Sequence, residues 1–157
     1  MIASQLQRDL TKEIGEILRD LRFKDAQGKE VVGANGYYQQ LPTITEDDDD
    51  SSKFFPYYIV RIQDGETKDD DDPWTVTTNI LLGIYDDDPE TNGHFAVLGM
   101  IQRITDRFAA EPLLNGRYRA NQDINWALQD EDTYPFYFGG IEIKFSVPKI
   151  ERRDPYA

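Results

Sequence analysis

The spacing of apolar residues along the chain predicts two amphipathic helices. Over residues 4–21 apolar side chains recur at three- and four-residue steps between charged ones, which is the spacing of a single apolar helical face. Ser4 is placed to cap the start of this helix. A second helix is predicted over 93–110, where Asn92 can cap the start and Pro112 stops the pattern.

Four longer segments have the alternation or the β-branched and aromatic content of strands. They are residues 54–62, 74–85, 117–128 and 134–147. The second alternates so regularly that its even positions, from Trp74 to Ile84, are expected to face a core. The even positions of 118–128 are expected to meet the same helices, which would place Trp126 in the core or at its edge.

Turn formers and acidic residues separate these elements. A short strand and turn is expected over 29–41 around Asn35-Gly36, and Asp64-Gly65 is expected to form a turn inside the second acidic loop. Gly139-Gly140 interrupts the last strand, which indicates a bulge or a close backbone approach. The three predicted acidic loops cover residues 43–53, 63–73 and 86–92.

The order of helix, strands, helix and strands predicts an α+β fold. The loop between 54–62 and 74–85 is too short for a crossover, so these two strands should be antiparallel. We expect a mainly antiparallel sheet with two α-helices packed on one face. Residues 1–157 are enough for one domain, and 149–157 form a polar tail.

The net charge of −13 is concentrated in the middle third of the chain. Residues 42–91 hold fifteen acids against three bases, whereas 1–41 hold six of each and 92–157 hold nine acids against eight bases. Such a charge repels phosphates, which disfavours DNA binding across a broad face.

Several other classes of protein are disfavoured by composition. The chain has no cysteine, which excludes disulfides, thiolate nucleophiles and cysteine-ligated zinc. No run approaches the ~18 apolar residues of a membrane span, and the N-terminal residues lack the apolar core of a signal peptide. We therefore expect a soluble chain with no membrane partner.

The aspartate runs at 47–50, 69–72 and 86–88 lack the spacing of a calcium loop. Such loops need acids at alternate positions, a glycine at the sharp turn and a closing glutamate. Contiguous aspartates on an extended backbone point in opposite directions, so one run offers at most two carboxylates to an ion. Solvated strand ends are the simpler interpretation, and a weak divalent site pooled from two runs is the alternative.

Glu142 and Lys144 form a Glu-x-Lys pair that resembles the active-site pattern of PD-(D/E)xK nucleases. That chemistry uses two acids to hold magnesium and a lysine to help polarise water. Asp123 or Asp130 would be the second acid. The same pair on the outward face of an antiparallel strand is ordinary, and the net charge opposes DNA, so the magnesium-dependent nuclease is the alternative hypothesis.

Other catalytic and cofactor motifs are lacking in the sequence. His94 has no cysteine, and no serine in a G-x-S-x-G setting, to activate. No glycine pattern leads from a strand into a helix as a phosphate loop requires. We expect no catalytic residue, no metal and no cofactor, and we expect that the protein is not an enzyme.

Arg117, Arg119, Asp123 and Asn125 are predicted to lie in line on the polar face of strand 117–128. The arginines of this face and of the tail are candidates for subunit contacts. Arginine pairs with carboxylates and stacks on rings, so the acidic loops of one copy can meet the arginines of the next. Two unrelated wet surfaces are the alternative. The candidate interface residues are Asp47, Asp48, Asp49, Asp50, Asp69, Asp70, Asp71, Asp72, Arg117, Arg119, Arg152 and Arg153.

The layout of the whole chain resembles tail terminator, or tail completion, proteins of long-tailed phages and prophages. The resemblance rests on the order of elements and on a few local patterns. These are FPYYIVRI, the tryptophan-led WTVTTNILLGIYDDD before the second helix, RYRANQDINWALQD, YPFYFGGIEIKFSVP and the closing KIERRDPYA.

This resemblance implies a structural protein of the virion. Members of the family form hexameric rings that cap the tail tube, stop its polymerisation and meet the head connector. It implies partners in further copies of the chain, the tail tube protein and the neck protein, with DNA only passing through the lumen. A neighbouring neck or tail tube subunit is the close variant, and in either case the protein would be assembled in the host cytoplasm.

Overall fold

The computed structural model describes residues 2–44 and 51–148. Its two α-helices are α1, Ile2–Leu18, and α2, His94–Ala110. A 3-10 helix covers Ser51–Phe54. The eight strands are β1 (Arg22–Lys24), β2 (Glu30–Val32), β3 (Asn35–Tyr38), β4 (Tyr57–Glu66), β5 (Trp74–Tyr85), β6 (Leu113–Leu114), β7 (Tyr118–Leu128) and β8 (Phe136–Val147).

The strands form one sheet whose centre is β5. β5 pairs antiparallel with β4 on one side and, along its whole length, with β8 on the other. β7 follows beyond β8, and β6 pairs with the start of β7. The β1–β2 hairpin joins β5 at Tyr85. The only parallel pair in the described part of the chain is β3 with β4, so the prediction of a mainly antiparallel sheet is confirmed.

Both helices lie on the same face of this sheet, as predicted. The apolar stripes of α1 and α2 share a core with alternate residues of β4, β5 and β8. Among the fully buried side chains are Leu10, Ile14, Ile80, Ile104 and Phe145. The sheet and its two helices therefore form an α+β fold. Neither helix combines the length and the apolar content that crossing a membrane would require.

The opposite face of the sheet is covered over only about half of its length. Phe54 and Phe55, at the end of the 3-10 helix, pack with Tyr57 and Ile59 into a second apolar cluster. Phe55 stacks against Phe136 with ring centroids 4.7 Å apart. Predicted strand 54–62 thus starts later than expected, because its first residues cover the sheet instead of joining it.

Gly139 allows α2 to approach β8 closely. A Cβ atom at this position would lie 2.7 Å from Cγ1 of Val97 and 3.2 Å from Cδ1 of Ile101. A Cβ on Gly140, which faces the other way, would meet Leu81 at an ordinary 3.6 Å. The prediction of a close approach is confirmed, and the alternative of a bulge is wrong because β8 pairs with β5 without a break.

Two predicted turns are parts of strands. Asn35-Gly36 lies in β3, and the chain reverses instead at Gly33, whose φ of 78° suits glycine. Asp64-Gly65 lies in β4, which continues to Glu66 through a bulge at Gln63. In both cases strand pairing overrides a local turn preference.

The predicted helix caps are also wrong. α1 begins at Ile2, so Ser4 lies inside it, and α1 ends at Leu18 rather than at residue 21. Gly93 is the N-cap of α2 and makes no side-chain capping bond, whereas Asn92 only accepts a backbone hydrogen bond from Phe95. Gly93 lies against the ring of Tyr137, where any side chain would clash.

We predict that Gly139→Ala lowers the free energy of unfolding by about 1–3 kcal/mol, because the added methyl group forces α2 away from β8. Gly140→Ala is the matched control, since it makes the same change of residue on the uncrowded face. The free energy of unfolding of Gly140→Ala should remain within about 0.5 kcal/mol of the wild-type value. Urea unfolding followed by circular dichroism measures both, and equal losses would contradict the role given to Gly139.

We also predict that the protein loses stability above about pH 10. Burial raises the pKa of Tyr57, Tyr58 and Tyr118. The unfolded chain therefore loses phenol protons first, so stability is complete below the ordinary tyrosine pKa and falls as the pH rises through the raised values.

The tyrosine contribution is tested by comparing urea unfolding at about pH 8 and about pH 11. Tyr58→Phe removes one buried phenol and should make the loss with pH smaller. Tyr134 is 44% exposed, so Tyr134→Phe is the control and should change the loss less than Tyr58→Phe does. An unchanged loss in Tyr58→Phe would show that this phenol does not contribute.

Candidate interaction surface

β7 forms one lateral edge of the sheet. Its inner side pairs with β8, whereas on its outer side β6 pairs only with Tyr118 and Arg119. The amide of Ala120 donates to the carbonyl of Pro112. From residue 121 to 128, no strand of the described chain pairs with the outer side. Exposed edge groups of this kind are a template for pairing with another chain.

A bulge limits the regular part of this edge. The pairing of β7 with β8 shifts between Ala120 and Ile124, and Asn121 accepts a hydrogen bond from the Ser146 hydroxyl at 3.2 Å. Bulges twist an edge and interrupt pairing locally. The regular open edge is therefore residues 124–128.

Trp126 lies in the middle of that open edge. It pairs with Ile141 and is therefore on the helix side of the sheet, but its side chain is 53% exposed. The prediction of a core or core-edge position is wrong, because alternation identifies the face of a strand but not whether a helix covers that face. A large exposed aromatic residue on an open strand edge is typical of protein interfaces.

The arginines do not form the single line that the sequence predicts. Arg117 lies in the turn before β7, 5.7 Å above the ring of Tyr118, and Arg119 lies in β7 opposite Ser146. Asp123 falls in the bulge. Arg119 and Asn125 remain on the exposed face away from the helices, and Arg117 lies at the end of the sheet.

On the other lateral side of the sheet, β4 is covered over its first six residues, Tyr57 to Ile62. β3 covers the first residues of β4, and the side-chain amide of Gln39 then replaces a strand residue. Its Nε2 donates to the carbonyl of Ile62 at 3.1 Å, and its Oε1 accepts from the amide of Ile62 at 3.1 Å. The Gln7 side chain donates to the same Oε1 and to the carbonyl of Val60. The edge of β4 is thus occupied up to Ile62, whereas the edge of β7 is open from residue 121 to 128 in the described part of the chain.

The acidic loop between β4 and β5 is held by one of its own carboxylates. Oδ1 of Asp69 accepts the backbone amides of Asp71 at 2.9 Å and Asp72 at 3.0 Å. Thr67 donates to the carbonyls of Asp69 and Asp72. The four aspartates, Asp69, Asp70, Asp71 and Asp72, are exposed, and their charges project beyond one end of the sheet.

The third acidic run has the same local role at the opposite end. Asp86 accepts the amide of Asp88, which in turn accepts the amide of Glu90. The length of β5, roughly 35 Å, separates this run from the loop at 69–72, so those two runs cannot share an ion. Within residues 2–44 and 51–148, no three acidic or histidine side chains lie close enough to hold a metal.

The candidate nuclease residues lie on the exposed face of the sheet. Glu142 and Lys144 point away from the helices, opposite Asn79 and Thr77 of β5. Asn125 lies on the other side of Glu142. Asp123 is in the bulge of β7 and Asp130 follows the far end of that strand, so the two candidate second acids are separated along β7. His94 stacks on Phe95 with ring centroids 4.2 Å apart.

Some predicted interface residues fall outside the described part of the chain. They are Asp47, Asp48, Asp49, Asp50, Arg152 and Arg153. Neither a protein-family model nor a curated protein sequence matches this chain. Function must therefore be inferred from the geometry of the described residues, in which the open edge of β7 and the acidic loop at 69–72 are the outstanding features.

We predict that Asp69→Ala loosens the β4–β5 loop, because two backbone amides lose their acceptor. The free energy of unfolding should fall by about 1 kcal/mol. Hydrogen exchange at the amides of Asp71 and Asp72 should become faster. Asp71→Ala is the matched control, since it removes an equal charge without removing that acceptor. Equal effects would mean that charge and not loop geometry governs stability here.

Proposed function

We propose that this protein is a structural subunit of a phage tail or neck, of the tail terminator or tail completion type. Copies of the chain assemble side by side into a hexameric ring that caps the tail tube, stops its polymerisation and joins the tail to the head connector. The observation that carries this proposal is the open edge of β7 with Trp126 exposed at its centre.

The edge has the composition of a subunit interface. Ile124, Trp126 and Leu128 offer apolar area on one side of the strand, and Arg119 and Asn125 offer hydrogen-bonding groups on the other. Tryptophan and arginine are the residues most enriched at the energetic centres of interfaces. Because 124–128 keeps regular strand geometry, its unpaired backbone groups can add to the contact.

The two sides of the sheet differ, because β3 and the Gln39 amide cover β4 from Tyr57 to Ile62. In a ring, the edge of β7 therefore meets a surface of the next copy other than this stretch of β4. Contacts between unlike surfaces build a ring when the rotation between copies closes. A two-fold pairing of β7 with itself would instead stop at a dimer.

The acidic loop at 69–72 suits a rim or lumen position in such a ring. Its four aspartates are exposed and lie beyond the end of the sheet. A wall of this charge repels phosphates, so DNA can pass without sticking. The same loop can also meet a basic patch on a neighbouring tail or neck protein.

The test is the mass of the protein in solution and its assembly on tail tubes. Light scattering should give a ring well above the 18.2 kDa of one chain. Trp126→Lys should shift the protein to monomer, because a charge at the centre of the contact cannot be desolvated. Phe95→Lys is the matched control, since Phe95 is 63% exposed on α2 and is not part of the edge strand, and this variant should keep the ring.

Other results would change the proposed assembly or overturn it. A stable dimer that Trp126→Lys breaks would indicate two-fold pairing of β7 in place of a ring. A monomer at all concentrations that does not bind tail tubes would overturn the proposal. Magnesium-dependent DNA cleavage that chelation abolishes, and that Glu142→Ala removes, would replace it with the nuclease hypothesis.

A further inference from the structure

Tyr38 and Trp126 stand at the two lateral limits of the sheet, both on its helix side. Tyr38 pairs with Val60 and Trp126 pairs with Ile141, and both of these partners belong to the core beneath the helices. The side chain of Tyr38 is nevertheless 54% exposed and that of Trp126 is 53% exposed. Each lateral side thus carries one aromatic residue that the helices do not bury.

Trp74 is exposed on the same face but away from both lateral sides. It starts β5 and pairs with Val147 at the end of β8, and its side chain is 40% exposed beside a groove that Ile2 also lines. The prediction that Trp74 belongs to the core is therefore wrong. Because β5 is the centre of the sheet, Trp74 is not part of either lateral side.

Tyr38 and Trp126 lie at the same level of the sheet. One row of directly paired residues crosses it from β3 to β7 and consists of Tyr38, Val60, Ile80, Ile141 and Trp126. The next row on this face joins Gly36 to Leu128 in the same way, and the bulges of β4 and β7 lie outside both rows. A second copy set beside the first, without displacement along the strands, therefore brings its Tyr38 opposite Trp126.

The backbone of β7 directs hydrogen-bonding groups outward at Trp126 and Leu128. The amide of Gln129 donates to the carbonyl of Phe138 at 3.0 Å, so the backbone groups of Gln129 face β8. These groups alternate between the two sides of an antiparallel strand, so those of Trp126 and Leu128 face away from β8. Within residues 2–44 and 51–148, no strand pairs with them.

β3 offers the matching groups at Gly36 and Tyr38. The amides of Asn35 and Gln39 both donate toward the β4 side, so the even residues between them face outward. The carbonyl of Tyr38 accepts the amide of Gln40, and a carbonyl has a second lone pair for another donor. No strand in the described part of the chain pairs with this outer side of β3.

The strand directions allow antiparallel pairing between copies. β3 is parallel to β4, and β4 is antiparallel to β5. β8 is antiparallel to both β5 and β7, so β7 runs opposite to β3. Two copies side by side in the same orientation therefore place β7 of one antiparallel to β3 of the next, with both helix layers on the same face.

We propose that β3 is the surface of the next copy on which the edge of β7 docks. Trp126 pairs with Tyr38 of the next copy and Leu128 pairs with its Gly36, and each pair exchanges amide–carbonyl hydrogen bonds. The two aromatic side chains then meet on the helix side, where cross-strand aromatic pairs stabilise a sheet. This inference rests on the proposed ring and names the two strands of its side-to-side contact.

The common level of the two edges suits a closed ring. Where the strands run along the axis of a ring, a contact without displacement along them keeps all copies at one level. A displacement repeated in every contact would instead produce a helical filament. The row from Tyr38 to Trp126 needs no such displacement.

Opposite charges lie beside the two edges. α1 packs on β3 and β4, and Arg8 is exposed on it next to Gln7, whose side chain donates to Val60 of the shared row. Asp123 is exposed in the bulge of β7, shortly before Trp126. Both charges are therefore near the level of the contact, one on each side of it, and their attraction favours this orientation of the copies.

Cysteine crosslinking tests the pairing directly. The chain has no cysteine, so any disulfide must join introduced residues. A mixture of Tyr38→Cys and Trp126→Cys proteins should form a disulfide-linked dimer on a non-reducing gel, because directly opposite residues have Cα atoms within the about 4.4–6.8 Å that a disulfide spans. Each variant alone should remain a single chain on that gel.

Ala127→Cys is the matched control for this crosslink. Its position is one residue along β7, so its side chain leaves the other face of the sheet. Mixed with Tyr38→Cys, it should give a lower yield of dimer than Trp126→Cys gives.

Tyr38→Lys tests the contact without a crosslink. Light scattering should show a fall from the mass of the ring to the 18.2 kDa of one chain, because a charge inside the contact cannot be desolvated. Val32→Lys is the matched control, since Val32 is 63% exposed on β2, on the same lateral side but outside the row, and this variant should keep the ring. Circular dichroism should show that both variants are folded.

The outcomes separate the strand pairing from the ring. A dimer yield no higher than that of the Ala127→Cys control, dimers of Trp126→Cys alone, or a ring retained in Tyr38→Lys would overturn the pairing through β3. A ring that Trp126→Lys breaks and Tyr38→Lys leaves intact would keep the proposed function and show that another surface receives β7. A disulfide between positions 38 and 126 in chains that do not close would keep the pairing and overturn the ring.

Discussion

The structure depends on how much of the long central strand β5 can be covered. Two helices bury Val76, Ile80 and Ile84 along one whole face, and Gly139 lets α2 come close enough to do so. The other face has only the short segment around Phe54 and Phe55, which covers the half near Tyr85. In the described part of the chain, two α-helices leave part of the eight-stranded sheet uncovered, and contacts with other surfaces can form there.

Three features follow from this incomplete cover. β7 lies at the limit of the helix layer, so Trp126 is exposed although it is on the correct face. The first turn of α1 stands over the end of the sheet without sealing it, which leaves the groove beside Trp74. The hairpin loop at 69–72 extends past both layers, where its carboxylates stay solvated and hold their own backbone. The core is thus separate from the surfaces at which another molecule can bind.

The sequence predicts the layers of this fold better than its edges. Helical and strand periodicities report which face of an element is apolar, so both helices, the long strands and the approach at Gly139 follow from the residues. Periodicity does not show where the helices stop covering the sheet. For this reason the alternation wrongly predicts that Trp74 and Trp126 lie in the core. Local turn preferences at Asn35-Gly36 and Asp64-Gly65 yield to strand pairing, which depends on residues far away in the chain. The expected row is broken at two places, because Arg117 lies in the turn before β7 and Asp123 lies in the bulge.

Gln39 makes one lateral side of the sheet unlike the other. Its side-chain amide uses the donor and the acceptor of Ile62 that another strand would need, and Gln7 holds that amide in place. A second copy could pair with β4 at Ile62 only by displacing this satisfied pair of hydrogen bonds. A single side chain thus removes one stretch of strand edge from pairing with other molecules, without the length of chain that another strand would take.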